Sequence, residues 1–171
     1  MKHISYLIFA FVLFATGAAQ AAEEWGIEGE KKARFEAKVV DVLCELTGNC
    51  PANCGAGKRQ LGLLKDDGTL VFAVKNTEIF AGAANDLAGF CGKRIVADGL
   101  LISNPKMNLF ALQFKKLAPD GKWGRANQFG KDWSKANGGK AAGQWFKNDA
   151  TIKKIVSEQG VLGIPGLKLK E

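Results

Sequence analysis

Histidine is almost missing from this chain. Its 171 residues contain one, His3, in a segment that the N-terminal pattern marks for removal. A mature chain without histidine has no Ser-His-Asp triad, no Cys-His dyad and no His-ligated zinc or haem. It also lacks an imidazole to carry protons near neutral pH. Long apolar runs are scarce. The only one spans Ile4 to Ala15, which is too short to cross a bilayer as a helix. No Cys follows it, which argues against a lipid-modified N-terminus. The Cys-x-x-Cys spacing of thioredoxin-type redox sites is absent. The G-x-x-x-x-G-K-[ST] phosphate loop is absent too, since Gly55-Ala56-Gly57-Lys58-Arg59 leads into a strand rather than a helix. There is no ring of aromatics for base stacking, no pair of carboxylates placed for glycoside cleavage and no internal repeat.

What is present begins with an export signal. Lys2 and His3 give a short basic start, the apolar run follows, and Ala19-Gln20-Ala21 is a small-x-small cleavage site. Cutting after Ala21 is expected, with delivery to the periplasm. The full chain carries a net charge of +7. Removing residues 1–21 takes away one charged residue, Lys2, and leaves +6. Scattered lysines and arginines of this surplus suit anionic partners, or serve solubility alone.

Residues 22–32 read as a charged, flexible lead-in in which Trp25 can dock. From Ala33 the pattern turns strand-like: Phe35, Ala37 and Val39 alternate with Arg34, Glu36 and Lys38. The phase then slips to Val40, Val42 and Cys44, as a bulge in one long strand would produce. A Gly/Cys/Pro/Asn-rich loop runs from Thr47 to Gly57. Gln60–Lys65 and Thr69–Lys75 form a hairpin around Asp66-Asp67-Gly68. A helix is expected from Thr77 to about Ala88 on the spacing of Ile79, Phe80, Ala83, Ala84 and Leu87. Arg94–Ser103 and Met107–Leu117 are strands joined by Asn104-Pro105-Lys106. After Pro119-Asp120-Gly121 the chain is basic, with Trp123, Phe129, Trp133, Trp145 and Phe146, too apolar for a disordered tail. Asn148 is placed to cap a helix from Asp149 to Gln159, closed by Gly160.

The order β-β-β-α-β-β, with a long first strand, resembles the OB-fold superfamily over residues 33–117. The fold class expected is therefore mainly β: a five-stranded OB-like Greek-key barrel with a helix between the third and fourth strands. Residues 118–171 form a helical extension packed on the barrel. The resemblance implies a binding scaffold rather than a reaction.

Cys44, Cys50, Cys54 and Cys91 are the four cysteines. An even number in an exported protein favours disulfides. In an OB-type barrel the first and fourth strands are antiparallel, which implies Cys44–Cys91 and leaves Cys50–Cys54 to stiffen the loop. Two other readings use the same residues. One is a four-thiolate zinc or copper site at Cys44, Cys50, Cys54 and Cys91, although Cys50 and Cys54 are separated by three residues where zinc knuckles use two. The other is a thiol–disulfide redox function, with Lys58 and Arg59 lowering a thiol pKa.

The loops after the first and fourth strands of an OB-type barrel border its usual binding face. The resemblance thereby places Lys58, Arg59, Asn104 and Lys106 around one surface with Lys75 nearby, a basic rim for ligand. Phe72 reads as packing. Asp41, Glu45 and Asp98 are expected to pair with Lys38 or Arg94 across strands. The function expected is non-catalytic: a periplasmic accessory protein that binds a protein partner or an anionic envelope ligand, with nucleic acid a poor fit to an exported chain.

Overall fold

A computed structural model describes residues 21–26, 28–75, 83–143, 145–161, 163–164 and 166–167. The expected signal segment, residues 1–20, and the first part of the helix expected from Thr77, through residue 82, lie outside the described residues. The elements are β1 Glu30–Asp41, α1 Val42–Thr47, β2 Leu61–Leu64, β3 Leu70–Val74, α2 Ala83–Leu87, β4 Arg94–Asn104, β5 Met107–Leu117, β6 Gly124–Arg125, α3 Gln128–Ala136, α4 Trp145–Asn148 and α5 Ala150–Gln159.

Five strands close into a mixed barrel. Antiparallel β1 joins β2 at one end, through Lys38↔Leu64 to Asp41↔Leu61, and β4 along most of its length, from Glu30↔Ile102 to Lys38↔Arg94. β3 follows β2 antiparallel, β5 follows β4 antiparallel, and the parallel β3–β5 pair, Phe72↔Leu109 to Val74↔Ala111, shuts the ring. β6 adds a short sixth strand beside β5. This is the mainly-β barrel with a helical C-terminal part that the residue pattern implied, consistent at fold level with an OB-like barrel. Inward-facing Ala37, Val39, Leu63, Ile95, Phe110 and Leu112 fill it, and Phe35 meets Phe110 edge-on at 4.8 Å.

The phase slip after Val39 is not a bulge. β1 ends at Asp41, whose carboxylate accepts from the Leu43 and Cys44 amides and caps α1. Val42 and Cys44 are therefore helical, because a buried Asp followed by a hydrophobic run starts a helix as readily as it extends a strand. The bulge is in the β4–β5 ladder, at Asp98/Gly99. Asp98 faces Phe114 and Gly99 faces Leu112, so Gln113 is the extra residue on β5. Gly99 is required here: a Cβ on it would lie 2.2 Å from the Ala111 carbonyl oxygen.

The disulfides pair differently from the expectation. They are Cys44–Cys50 and Cys54–Cys91, not Cys44–Cys91 and Cys50–Cys54. Because α1 turns the chain away from β1, Cys44 swings toward the loop and Cys54 takes the place beside the start of β4. Residues Asn53 to Ala56 all hold left-handed backbone conformations, with φ from 49° to 73°. That tight reversal directs Cys54 at Cys91.

Two further details depart from the pattern reading. Asp149, not Asn148, caps α5, accepting from Thr151 and Ile152. The carboxylates also choose other partners: Asp98 pairs with Arg34, while Arg94 pairs with Asp66 and Glu36. Ala22, Glu23, Trp25 and Gly26 of the expected lead-in are hydrogen-bonded, with Trp25 and Gly26 donating to Glu30 Oε1 at 2.7 Å each.

Candidate functional site

The residues singled out as a basic rim do not meet. Lys58 and Arg59 precede β2 at the Asp41 end of β1, whereas Asn104 and Lys106 form the turn beyond Ile102, at the Glu30 end. β1's twelve residues lie between them. Arg59 turns inward, donating to Asn49 Oδ1 at 3.0 Å and lying 4.0 Å from Asp41 Oδ2. Lys58 and Lys106 are exposed. Lys75 is no rim residue at all: its side chain is 9 % exposed. Its ammonium donates to the Leu112 carbonyl at 2.7 Å and to the Ala126 carbonyl, and pairs with Asp86 at 3.2 Å. Nothing in strand alternation distinguishes a lysine at a strand end that reaches water from one that folds back under a neighbouring strand. All four cysteines are oxidised, so the thiolate set of the zinc or copper reading is already consumed.

A different place gathers positive charge. A cleft of about 350 Å³ opens where α2, β5, β6 and α3 converge. Lys115, Lys122, Arg125 and Lys131 surround it, with the Phe90 ring, Asn85 and Gln128 completing the wall. Asp86 is the single carboxylate of the lining, so the cleft carries a surplus of three positive charges.

Asp86 organises the floor. One oxygen accepts from the Gln128 amide at 2.8 Å, supplying the first turn of α3 with a partner that Asn127, the residue at its N-cap, does not supply. The same oxygen lies 3.5 Å from Lys115 Nζ, and the other lies 3.2 Å from Lys75 Nζ. One buried carboxylate thus joins α2, β3, β5 and α3. Burial pulls the Lys75 pKa below its ordinary value; Asp86 pulls it back, and Lys115 adds repulsion. Lys115 Nζ also sits 5.8 Å from the Phe90 ring centre.

The outer cations have no such anchor. Arg125 lies 5.4 Å from the Phe114 ring centre. Among the described residues, no carboxylate is paired with Lys122, Arg125 or Lys131. All three are exposed. Unpaired cations around a concave wall raise the local concentration of anions. Arg125 also lines a second, smaller cleft of about 220 Å³ with Glu23, Trp25, Lys75, Gln113 and Phe114.

Local sequence shapes this geometry. Gly121 allows the chain to fold back on β5, since a Cβ there would lie 2.6 Å from the Leu117 carbonyl oxygen. The reversal brings Gly124–Arg125 beside Phe114 and Lys115. The one signal in the sequence is density of charge: residues 115–131 hold five cations, Lys115, Lys116, Lys122, Arg125 and Lys131, against one acid, Asp120. No family profile, curated protein or solved structure matches the chain.

Proposed function

We propose that this chain is an OB-type barrel, exported to the periplasm, that works without catalysis by holding an anionic envelope ligand in the cleft of Lys115, Lys122, Arg125 and Lys131. The carrying observation is the charge imbalance of that cleft: four cations against Asp86, which is already engaged by Lys75 and Lys115. A phosphorylated or polycarboxylated ligand supplies the missing negative charge, and the Phe90 ring offers an apolar surface beside it. Two disulfides fit an oxidising compartment, and among the described residues no helix is long and apolar enough to cross a membrane.

The test is a calorimetric titration with tripolyphosphate at low and high salt. Wild-type protein should bind at low salt and lose most affinity at high salt. Lys122→Glu/Arg125→Glu/Lys131→Glu should lower affinity by at least about tenfold, because each charge at contact distance in water contributes about 1 kcal/mol. Lys58→Glu/Arg59→Glu should leave it unchanged. Loss in the second variant and retention in the first would move the site to the loop after β1.

A further inference from the structure

The bulge in the β4–β5 ladder does more than bend the barrel. It presents two polar side chains, Asp98 on β4 and Gln113 on β5, to the segment that enters β1. Asp98 is 3 % exposed. One of its oxygens is taken by the Arg34 guanidinium, with Nε at 2.9 Å. The other accepts from the backbone nitrogen of Ala22 at 3.3 Å. Gln113 clamps the next residue from both sides, accepting from the Glu23 amide at 3.0 Å and donating to the Glu23 carbonyl at 2.6 Å. Ala22 itself is 3 % exposed, while Ala21 is exposed. The boundary between enclosed and open chain therefore falls on the Ala21–Ala22 peptide bond, where the Ala19-Gln20-Ala21 pattern ends.

From this coincidence we infer that Asp98 is the receptor for the mature N-terminus: cleavage after Ala21 turns the Ala22 amide nitrogen into an α-ammonium that forms an ion pair with the buried Asp98 carboxylate. This rests on the export reading given above. The step is a hydrolysis by an export signal peptidase. Water is consumed, the C–N bond between Ala21 and Ala22 breaks, Ala21 leaves with the new carboxylate, and the new amine on Ala22 takes up a proton. The nitrogen need not move. A neutral N–H···O bond becomes a charge-assisted one, which is shorter and about twice as strong. Asp98 then faces two cations, Arg34 and the terminus, in an enclosed site where such attraction is little screened. A chain that begins one residue earlier or later places no positive charge there, so the fold distinguishes correctly processed protein from the alternatives.

The experiment uses the full exported protein. Intact-mass measurement identifies its first residue, expected to be Ala22. Reductive methylation at neutral pH, quantified on the N-terminal peptide, then reads how much free amine is present. A folded wild-type α-amine should label at least about tenfold more slowly than the α-amine of a protein carrying Gly-Ser ahead of Ala22, because the ion pair with Asp98 keeps the amine protonated and only the free base reacts. Asp98→Asn should bring the rate up toward that of the extended protein while leaving residue 22 enclosed. The Gly-Ser protein keeps every wild-type side chain, so the comparison stands even where Asp98→Asn folds poorly. If the mature chain starts at Ala22 and labels as fast as the extended one, the docking is wrong and the processing right. If it starts elsewhere, the processing site itself is wrong, and the receptor role of Asp98 falls with it.

Discussion

Lys75 and Asp86 form an ion pair at 3.2 Å with side chains 9 % and 1 % exposed, and Asp86 also lines the cleft around which Lys122, Arg125 and Lys131 gather. Enclosed charges of this kind tolerate the loss of one partner badly, because the survivor is left desolvated without compensation. Lys75→Met and Asp86→Asn should each destabilise the protein, and the double variant by less than the sum. A coupling energy of about 1 kcal/mol or more between contacting partners is expected in urea melts of the four proteins. Additive losses would mean that the two residues act separately.

The two disulfides should not be equivalent. Cys54–Cys91 closes a loop with a sequence separation of 37, and Cys44–Cys50 one of 6. In the chain-entropy account the longer closure contributes more, by about 1.5 kcal/mol. Cys54→Ser/Cys91→Ser should therefore lower stability by about that much more than Cys44→Ser/Cys50→Ser in denaturant melts. Peptide mapping without reduction should recover the same two pairs.

Asp149 ties the C-terminal helices together: it caps α5 and accepts from the Trp133 indole at 3.1 Å. The Ile152 amide and the Trp133 indole hold its pKa below the ordinary carboxylate value. A depressed carboxylate contributes stability that is complete above its unfolded value, about 3.9, and is lost as pH falls through the lower folded value. Trp133 fluorescence and α5 helicity should stay constant on acidification to about pH 4 and change only below it. Asp149→Ala should show the acid-state signal already at neutral pH.

Gly99 has no room for a side chain, since the Ala111 carbonyl oxygen and the Phe110 ring occupy the space. Gly99→Ala should cost about 1–3 kcal/mol as overpacking in a closed barrel. Gly89→Ala, with nothing within 4 Å of the added carbon, is the matched control and should melt near wild type.

The strands were legible because alternation, the Asp66-Asp67-Gly68 turn and the Asn104-Pro105-Lys106 turn are local signals, and local signals fix strand positions and the β2–β3 and β4–β5 hairpins. Residues 61–64, 70–74, 94–104 and 107–117 form strands within a residue or so of where the pattern put them. The choice between strand and helix after Asp41 was not legible, because Val42 and Cys44 satisfy a period of two and the cap bond from Asp41 decides the matter. That one turn also redirected Cys44 and so exchanged the disulfide partners. The cleft was illegible for another reason. Phe90, Lys115, Lys122, Arg125 and Lys131 come from four stretches of chain brought together by Gly121 and by Asp86 reaching the Gln128 amide, and no spacing rule encodes contacts made across a barrel.

The most direct test of the binding account is to map, by backbone amide shifts, where tripolyphosphate sits on the folded protein. The account predicts perturbations at Asn85–Phe90, Lys115 and Lys122–Lys131, vanishing at high salt and in Lys122→Glu/Arg125→Glu/Lys131→Glu. Perturbations confined to Lys58–Arg59 and Asn104–Lys106, with the cleft amides unmoved, would contradict it.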